Sequence, residues 1–182
     1  MILPSRIFFT GVPGSRWSGL AQKIEQELNL NISDRTPART YAHGEFTGHQ
    51  GAYFGTRMEF PAKLDTATLD APYADQGPGK LHKSHEWAYM LDAITELYPQ
   101  DPIFLIYRPT KSSFDWWKQA GGWDISYPDY KWYIDDETMI RKIDEQNQLI
   151  LKFASQKQLV WSHVNDFTDI LIAYYIPVVN SD

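Results

Sequence analysis

Between positions 11 and 18 the sequence reads GVPGSRWS, which sets three turn-forming residues, Gly11, Pro13 and Gly14, beside two hydroxyls, Ser15 and Ser18, and the guanidinium of Arg16. Residues of these types crowded into eight positions suit the binding of an anion. Ile7, Phe8 and Phe9 before the loop suit a buried strand, and Leu20, Ile24 and Leu28 after it recur at helical spacing. The loop is therefore expected to end at a helix N-terminus. There the unpaired N–H groups and the positive end of the helix dipole favour a phosphate or sulfate, with the backbone of Gly14, Ser15, Arg16, Trp17 and Ser18 around it. A Walker loop would continue with Lys and Ser/Thr where this chain has Arg16, Trp17 and Ser18, which argues against an ordinary ATP or GTP hydrolase. A ligand-free strand-to-helix turn would have a similar Gly and Pro content.

Three further residues carry chemistry. His85 has an imidazole, the side chain whose ordinary pKa suits a general base; Lys83, two positions earlier, can stabilise developing negative charge; Arg108, after the apolar run IFLIY, can fork onto a phosphate. Blander roles stand beside these: a helix cap for His85, a solvated surface amine for Lys83, and an ion pair with Asp101 or Glu137 for Arg108. The pair His82 and His85 straddles a strand end, and neither it nor His43 and His49 has a carboxylate at ligand spacing, so no metal is expected. With no cysteine there is no thiol nucleophile, and no Gly-x-Ser-x-Gly elbow occurs. The stretch FDWWKQAGGWDISYPDYKWY offers Trp116, Trp117 and Trp123 as a wall for a flat or sugar-like substrate, or as core; Gly121 and Gly122 would hinge a lid.

The elements that must position these groups follow from periodicity. Strands are expected at 80–84, 103–107 and 158–164, and helices at 86–98, 111–120 and 135–156, with a short helix or turn at 166–175. Residues 31–75 show no sustained period and read as an irregular insertion. Strands alternating with helices predict one α/β domain over 1–182, a three-layer α/β/α sandwich with a central parallel sheet, whose ligands bind beyond the strand C-termini. A 182-residue chain that is 43% hydrophobic, 22% charged and carries a net charge of −6 is expected to be soluble and cytoplasmic, with neither nucleic acid nor a membrane as partner.

Three of these motifs, in this order, resemble the sulfotransferases that use 3′-phosphoadenosine 5′-phosphosulfate. TGVPGSRWS (10–18) looks like that family's 5′-phosphosulfate loop, KSH (83–85) is similar to its Lys-Thr-His segment, and IFLIYRPTKSSFDWW (103–117) looks like the strand and helix that hold the 3′-phosphate. WSHVNDF (161–167) is similar to a late strand of the family. The resemblance implies a P-loop NTPase-like fold and transfer of a sulfuryl group to a hydroxyl or amine, on a small molecule or glycan, without a metal. It implies His85 as the base, with Lys83 and Arg16 as catalytic charges. It places the nucleotide on Gly11, Pro13, Gly14, Ser15, Arg16, Trp17, Ser18, Arg108, Ser112 and Ser113. Gly14 stands where the family has Lys or Arg. Asp115 falls where it has a phosphate-binding Ser if one residue is deleted after Arg108, so that either Ser112 and Ser113 hold that phosphate, or the nucleotide lacks a 3′-phosphate, or the donor site is vestigial. The alternatives are a kinase-like nucleotide or phosphate binder on the same fold, and a non-catalytic member of it.

Overall fold

Apolar runs bounded by turn residues become the strands. RIFFT forms β1 (Arg6–Thr10), KLHK forms β2 (Lys80–Lys83) and IFLIY forms β3 (Ile103–Tyr107). These three are parallel: Phe8 lies opposite His82 on one side and Ile103 on the other. The structure, a computed structural model, describes residues 3–33, 61–73, 77–125, 131–165 and 167–177.

Beyond β3 the sheet departs from expectation. β4 is short, Ser162–Val164, and the residues read as a short helix or turn form the longest strand, β5 (Phe167–Tyr175). β5 runs antiparallel to β3, with Ile106 opposite Ile172, and β4 runs antiparallel to β5. The five strands are ordered β2-β1-β3-β5-β4, so the sheet is mixed and open where an all-parallel one was expected. The cause is local. The link from Val164 to Phe167 is far shorter than the dozen or so residues a parallel crossover needs, so the two strands close as a hairpin. FTDILIAYY is also rich in β-branched and aromatic residues, which fit a pleated surface.

The helices are α1 (Trp17–Glu27), α2 (Thr66–Asp70), α3 (Leu91–Leu97), α4 (Thr110–Gln119) and α5 (Asp136–Gln156). α5 starts where Asp135 accepts the Thr138 N–H at 2.8 Å, with Asp136 and Glu137 on the positive end of its dipole. The expected helix 86–98 is divided into a 3-10 turn, His85–Tyr89, and α3. Ser84 caps that turn through the Glu86 N–H, and the indole N–H of buried Trp87 is committed to the His82 carbonyl at 2.9 Å. Within the expected insertion lie α2 and a 3-10 turn, Ala71–Tyr73; residues 34–60 and 74–76 lie outside the described ones.

Strand alternation divides the core in two. Ile7, Phe9, Leu81, Ile106 and Ile170 pack with Leu20, Ala21 and Ile24 of α1. Phe8, Ile103, Leu105 and Ala173 pack with Trp87, Leu91, Trp117, Ile143, Ile150 and Phe153. Helices thus cover both faces, and each large side chain so buried contributes about 1.5–3 kcal/mol. Among the described residues no helix is long and apolar enough to cross a membrane.

Candidate functional site

The loop after β1 is shaped by two residues with positive φ. Gly14 has φ 79°, and a Cβ there would overlap the Ser113 carbonyl of α4; this close approach leaves room only for glycine where the resemblance leads one to expect Lys or Arg. Arg16 has φ 60° and ψ 23°, a left-handed conformation uncommon for a residue with a Cβ, and its side chain makes no capping hydrogen bond. The turn is closed by Ser15 N–H to the Val12 carbonyl at 3.1 Å, and the ladder of α1 opens with Leu20 N–H to the Arg16 carbonyl at 3.3 Å. The N–H groups of the first turn therefore point off the helix end, beyond the C-terminal end of β1.

Two groups of side chains flank this helix end. Toward β2, Lys83 Nζ donates to Ser18 Oγ at 2.8 Å and lies 4.3 Å from the Trp17 ring centroid. Trp17 stacks on His85, with ring centroids 3.7 Å apart and planes inclined by 19°. His85 Nδ1 lies 2.5 Å from the Gly11 carbonyl oxygen. A carbonyl only accepts, so Nδ1 carries the proton, and the lone pair of the neutral ring is on Nε2. His85 is fully buried, and burial, aided by Lys83 and opposed by the Gly11 hydrogen bond, lowers its pKa to about 3. The imidazole is thus neutral, with the tautomer of a proton acceptor, under the indole of Trp17.

Toward β5, Arg108 Nε donates to Asp169 Oδ2 at 2.8 Å, and a terminal nitrogen of Arg108 donates to the Gly14 carbonyl at 3.0 Å. The Arg16 guanidinium carbon lies 4.0 Å from the Trp116 ring centroid and 4.2 Å from that of Phe167. The Arg16 pKa is lowered by burial and by Arg108, against the pull of Asp169. Burial alone would raise the Asp169 pKa, but the Arg108 hydrogen bond and charge, with a hydrogen bond from Ser112, hold it below the usual carboxylate range. A cavity of about 180 Å³ opens beside Arg16, lined also by Leu20, Lys23, Asn165 and Phe167.

No family model, curated protein or solved structure matches this chain. Its geometry alone must indicate what it does.

Of the residues expected from sequence, Gly11, Pro13, Gly14, Ser15, Arg16, Trp17 and Ser18 form the loop and the start of α1. Lys83 and His85 gather on one side of it, and Arg108, Ser112 and Trp116 on the other. Arg16 sits with Arg108, apart from the other two expected catalytic residues. Ser113 is fully buried and turns inward, its hydroxyl donating to the Arg108 carbonyl at 3.1 Å. Trp117 is 1% exposed and belongs to the core, where Trp123 packs edge-on against it and donates to Asp136 at 2.8 Å. Asp115 pairs with Lys111 at 2.5 Å on the exposed side of α4. Arg108 takes Asp169 in place of Asp101 or Glu137, and Asp101 pairs with Arg6. His82 is buried against Phe8 and Tyr73. Among the described residues no three potential metal ligands cluster; His43 and His49 lie outside them. Asp169 is the residue that sequence reasoning missed, because its segment was read as a helix or turn; the strand propensity of FTDILIAYY was the available signal.

Proposed function

We propose that the head of α1 binds 3′-phosphoadenosine 5′-phosphosulfate and that the chain, a cytoplasmic protein of P-loop NTPase-like fold, transfers its sulfuryl group to a hydroxyl or amine acceptor. One observation carries the reading. Arg16 and Arg108 both lie over the Trp116 ring, 4.0 and 5.9 Å from its centroid; Asp169 pairs with Arg108, and Arg16 is held by ring faces with no ion pair among the described residues. Two partly desolvated guanidinium groups repel each other, and a doubly charged phosphate placed between them would replace that repulsion by attraction. The cavity beside Arg16, with Leu20 and Phe167 in its wall, would take the flat, less polar base of such a nucleotide.

On the β2 side His85 would take the acceptor proton at Nε2 as the acceptor oxygen or nitrogen bonds to sulfur and the bond from sulfur to the phosphate oxygen breaks. Lys83 and the first-turn N–H groups would stabilise the charge that moves onto the phosphate. His85 is fully buried, so the packing that keeps Nε2 from solvent must open for this to occur. The same burial favours a second reading, in which the chain binds a nucleotide or phosphate without transferring a group, since the imidazole is closed off from solvent.

Thermal denaturation with adenosine 3′,5′-bisphosphate, and separately with ATP and Mg²⁺, tests these readings. At a hundredfold excess over Kd a ligand adds about 2.7 kcal/mol, or about 5–10 °C in Tm for a domain of this size. A larger shift with the bisphosphate supports the sulfotransferase reading. A larger shift with ATP replaces it by a kinase-like one, and no shift with either leaves a non-catalytic fold.

A further inference from the structure

Asn147 lies in the middle of α5 and is 1% exposed. While its Oδ1 has no hydrogen-bond partner among the described residues, its amide nitrogen is satisfied 39 residues away: Nδ2 donates to the Arg108 carbonyl at 2.8 Å and lies 3.5 Å from Thr110 Oγ1. That carbonyl sits at the junction of β3 and α4, just before the residue whose own carbonyl accepts the first N–H of the α4 ladder, from Ser113 to Pro109 at 2.9 Å. It therefore belongs to neither the strand nor the helix ladder. Two buried side chains from different helices satisfy it, Asn147 of α5 and Ser113 of α4. The side chain of the same Arg108 is fixed at its other end by Asp169 of β5 and by the Gly14 carbonyl of the loop. One residue is thus clamped from four segments, although it lies between the last paired residue of β3 and the first carbonyl of the α4 ladder.

We infer that Asn147 is a positioning residue for the anion site: from the far side of the β3–α4 junction it sets the direction in which the Arg108 guanidinium leaves the backbone. This rests on the reading of Arg16 and Arg108 as a phosphate receptor. A guanidinium displaced by an ångström loses the two-point geometry that a phosphate demands, so a donor 2.8 Å from the backbone governs a contact made at the tip of the side chain. Gln146, the neighbouring residue, is fully buried in the same helix and has no hydrogen-bond partner for either amide atom among the described residues, which makes it a matched control.

The test uses the full chain with ¹⁵N-labelled arginine, the Arg108 Nε–H resonance being assigned by its loss in Arg108→Lys. Asn147→Leu, which keeps the number and branching of the side-chain heavy atoms and removes the donor, should speed solvent exchange of the Arg108 Nε–H about tenfold, as its bond to Asp169 opens more often. It should also weaken adenosine 3′,5′-bisphosphate roughly tenfold while weakening adenosine 5′-phosphate less. Gln146→Leu should leave both readings within about twofold of the wild type. Asn147→Asp, which keeps the shape and turns an acceptor toward the carbonyl, should act in the same direction and serves if the leucine variant does not fold. Unchanged Nε–H exchange in either folded variant overturns the inference, as does an equal change in Gln146→Leu. Faster exchange in a protein whose wild type binds neither nucleotide retains the positioning role and removes the nucleotide reading.

Discussion

Lowering the pH from 7.5 to 5 should remove a large part of the stability of this protein, because two of its histidines are buried in the neutral form. Burial, with Arg6 and Lys80 adding to it, brings the His82 pKa from 6.5 to about 3; burial also brings that of His85 to about 3. Both rings are thus protonated more readily in the unfolded chain than in the folded one. Between pH 6.5 and 3 the unfolded state holds up to two more protons from these groups, so stability is complete above 6.5 and falls as the pH drops through that window. At pH 5, about 1.5 units below the unfolded value, each histidine costs about 2 kcal/mol, and the pair about 4 kcal/mol. That is a large share of the 5–15 kcal/mol by which a domain is stable. Glu86 and Asp101, whose pKa values burial raises, work in the opposite direction at the acid end and soften the loss. Urea unfolding at pH 7.5, 6 and 5, at constant ionic strength, measures the slope, and His82→Gln should reduce it by about half. Equal stability at pH 7.5 and 5, or a slope that His82→Gln leaves intact, would refute the reasoning that burial of these rings is uncompensated.

Gly14→Ala should destabilise the protein by about 2 kcal/mol or more, since it adds the left-handed penalty of about 1–2 kcal/mol to an overlap with the Ser113 carbonyl; thermal unfolding of the variant checks this. On a verified acceptor His85→Ala should lower turnover by roughly two to four orders of magnitude with nucleotide affinity nearly unchanged, and equal turnover would take His85 out of the mechanism. Asp115→Ser should leave the affinity for adenosine 3′,5′-bisphosphate within about twofold, because Asp115 pairs with Lys111 on the exposed face of α4; calorimetric titration showing a gain of tenfold or more would place that carboxylate at the phosphate after all.

What could be read from the residues was what depends on short-range pattern. β3 and α5 lie within a residue of their expected bounds because an apolar pentapeptide between breakers and a capped stripe of Ile143, Ile150 and Phe153 each have one solution, although Ile140, expected in that stripe, is exposed. The loop after β1 was legible through its Gly and Pro content, although Trp17, which closes over His85, was expected among its ligand contacts. Long-range facts were not legible. Nothing local to Arg108 names Asp169 as its partner, since the two meet only because β5 pairs with β3. Trp116 and Trp117 are adjacent in sequence and similar in chemistry; which one faces Arg16 and which the core is set by the rotation of α4 against Gly14. Asn147 looks like any polar position on a long helix until the carbonyl it serves is seen.

The inverted direction of β5 bears on when the site can exist. Arg108 leaves the ribosome 61 residues before Asp169, and the strand carrying Asp169 is anchored to β3 along a register that ends with Tyr175 opposite Ile103. During synthesis the loop, Arg16 and Arg108 can gather with β3 still an open edge, two cations without their carboxylate. Docking of the last hairpin covers that edge and supplies the counter-charge in one event. Completion of the sheet and pairing of Arg108 with Asp169 are therefore the same step, and a chain shortened before Phe167 would lose both together.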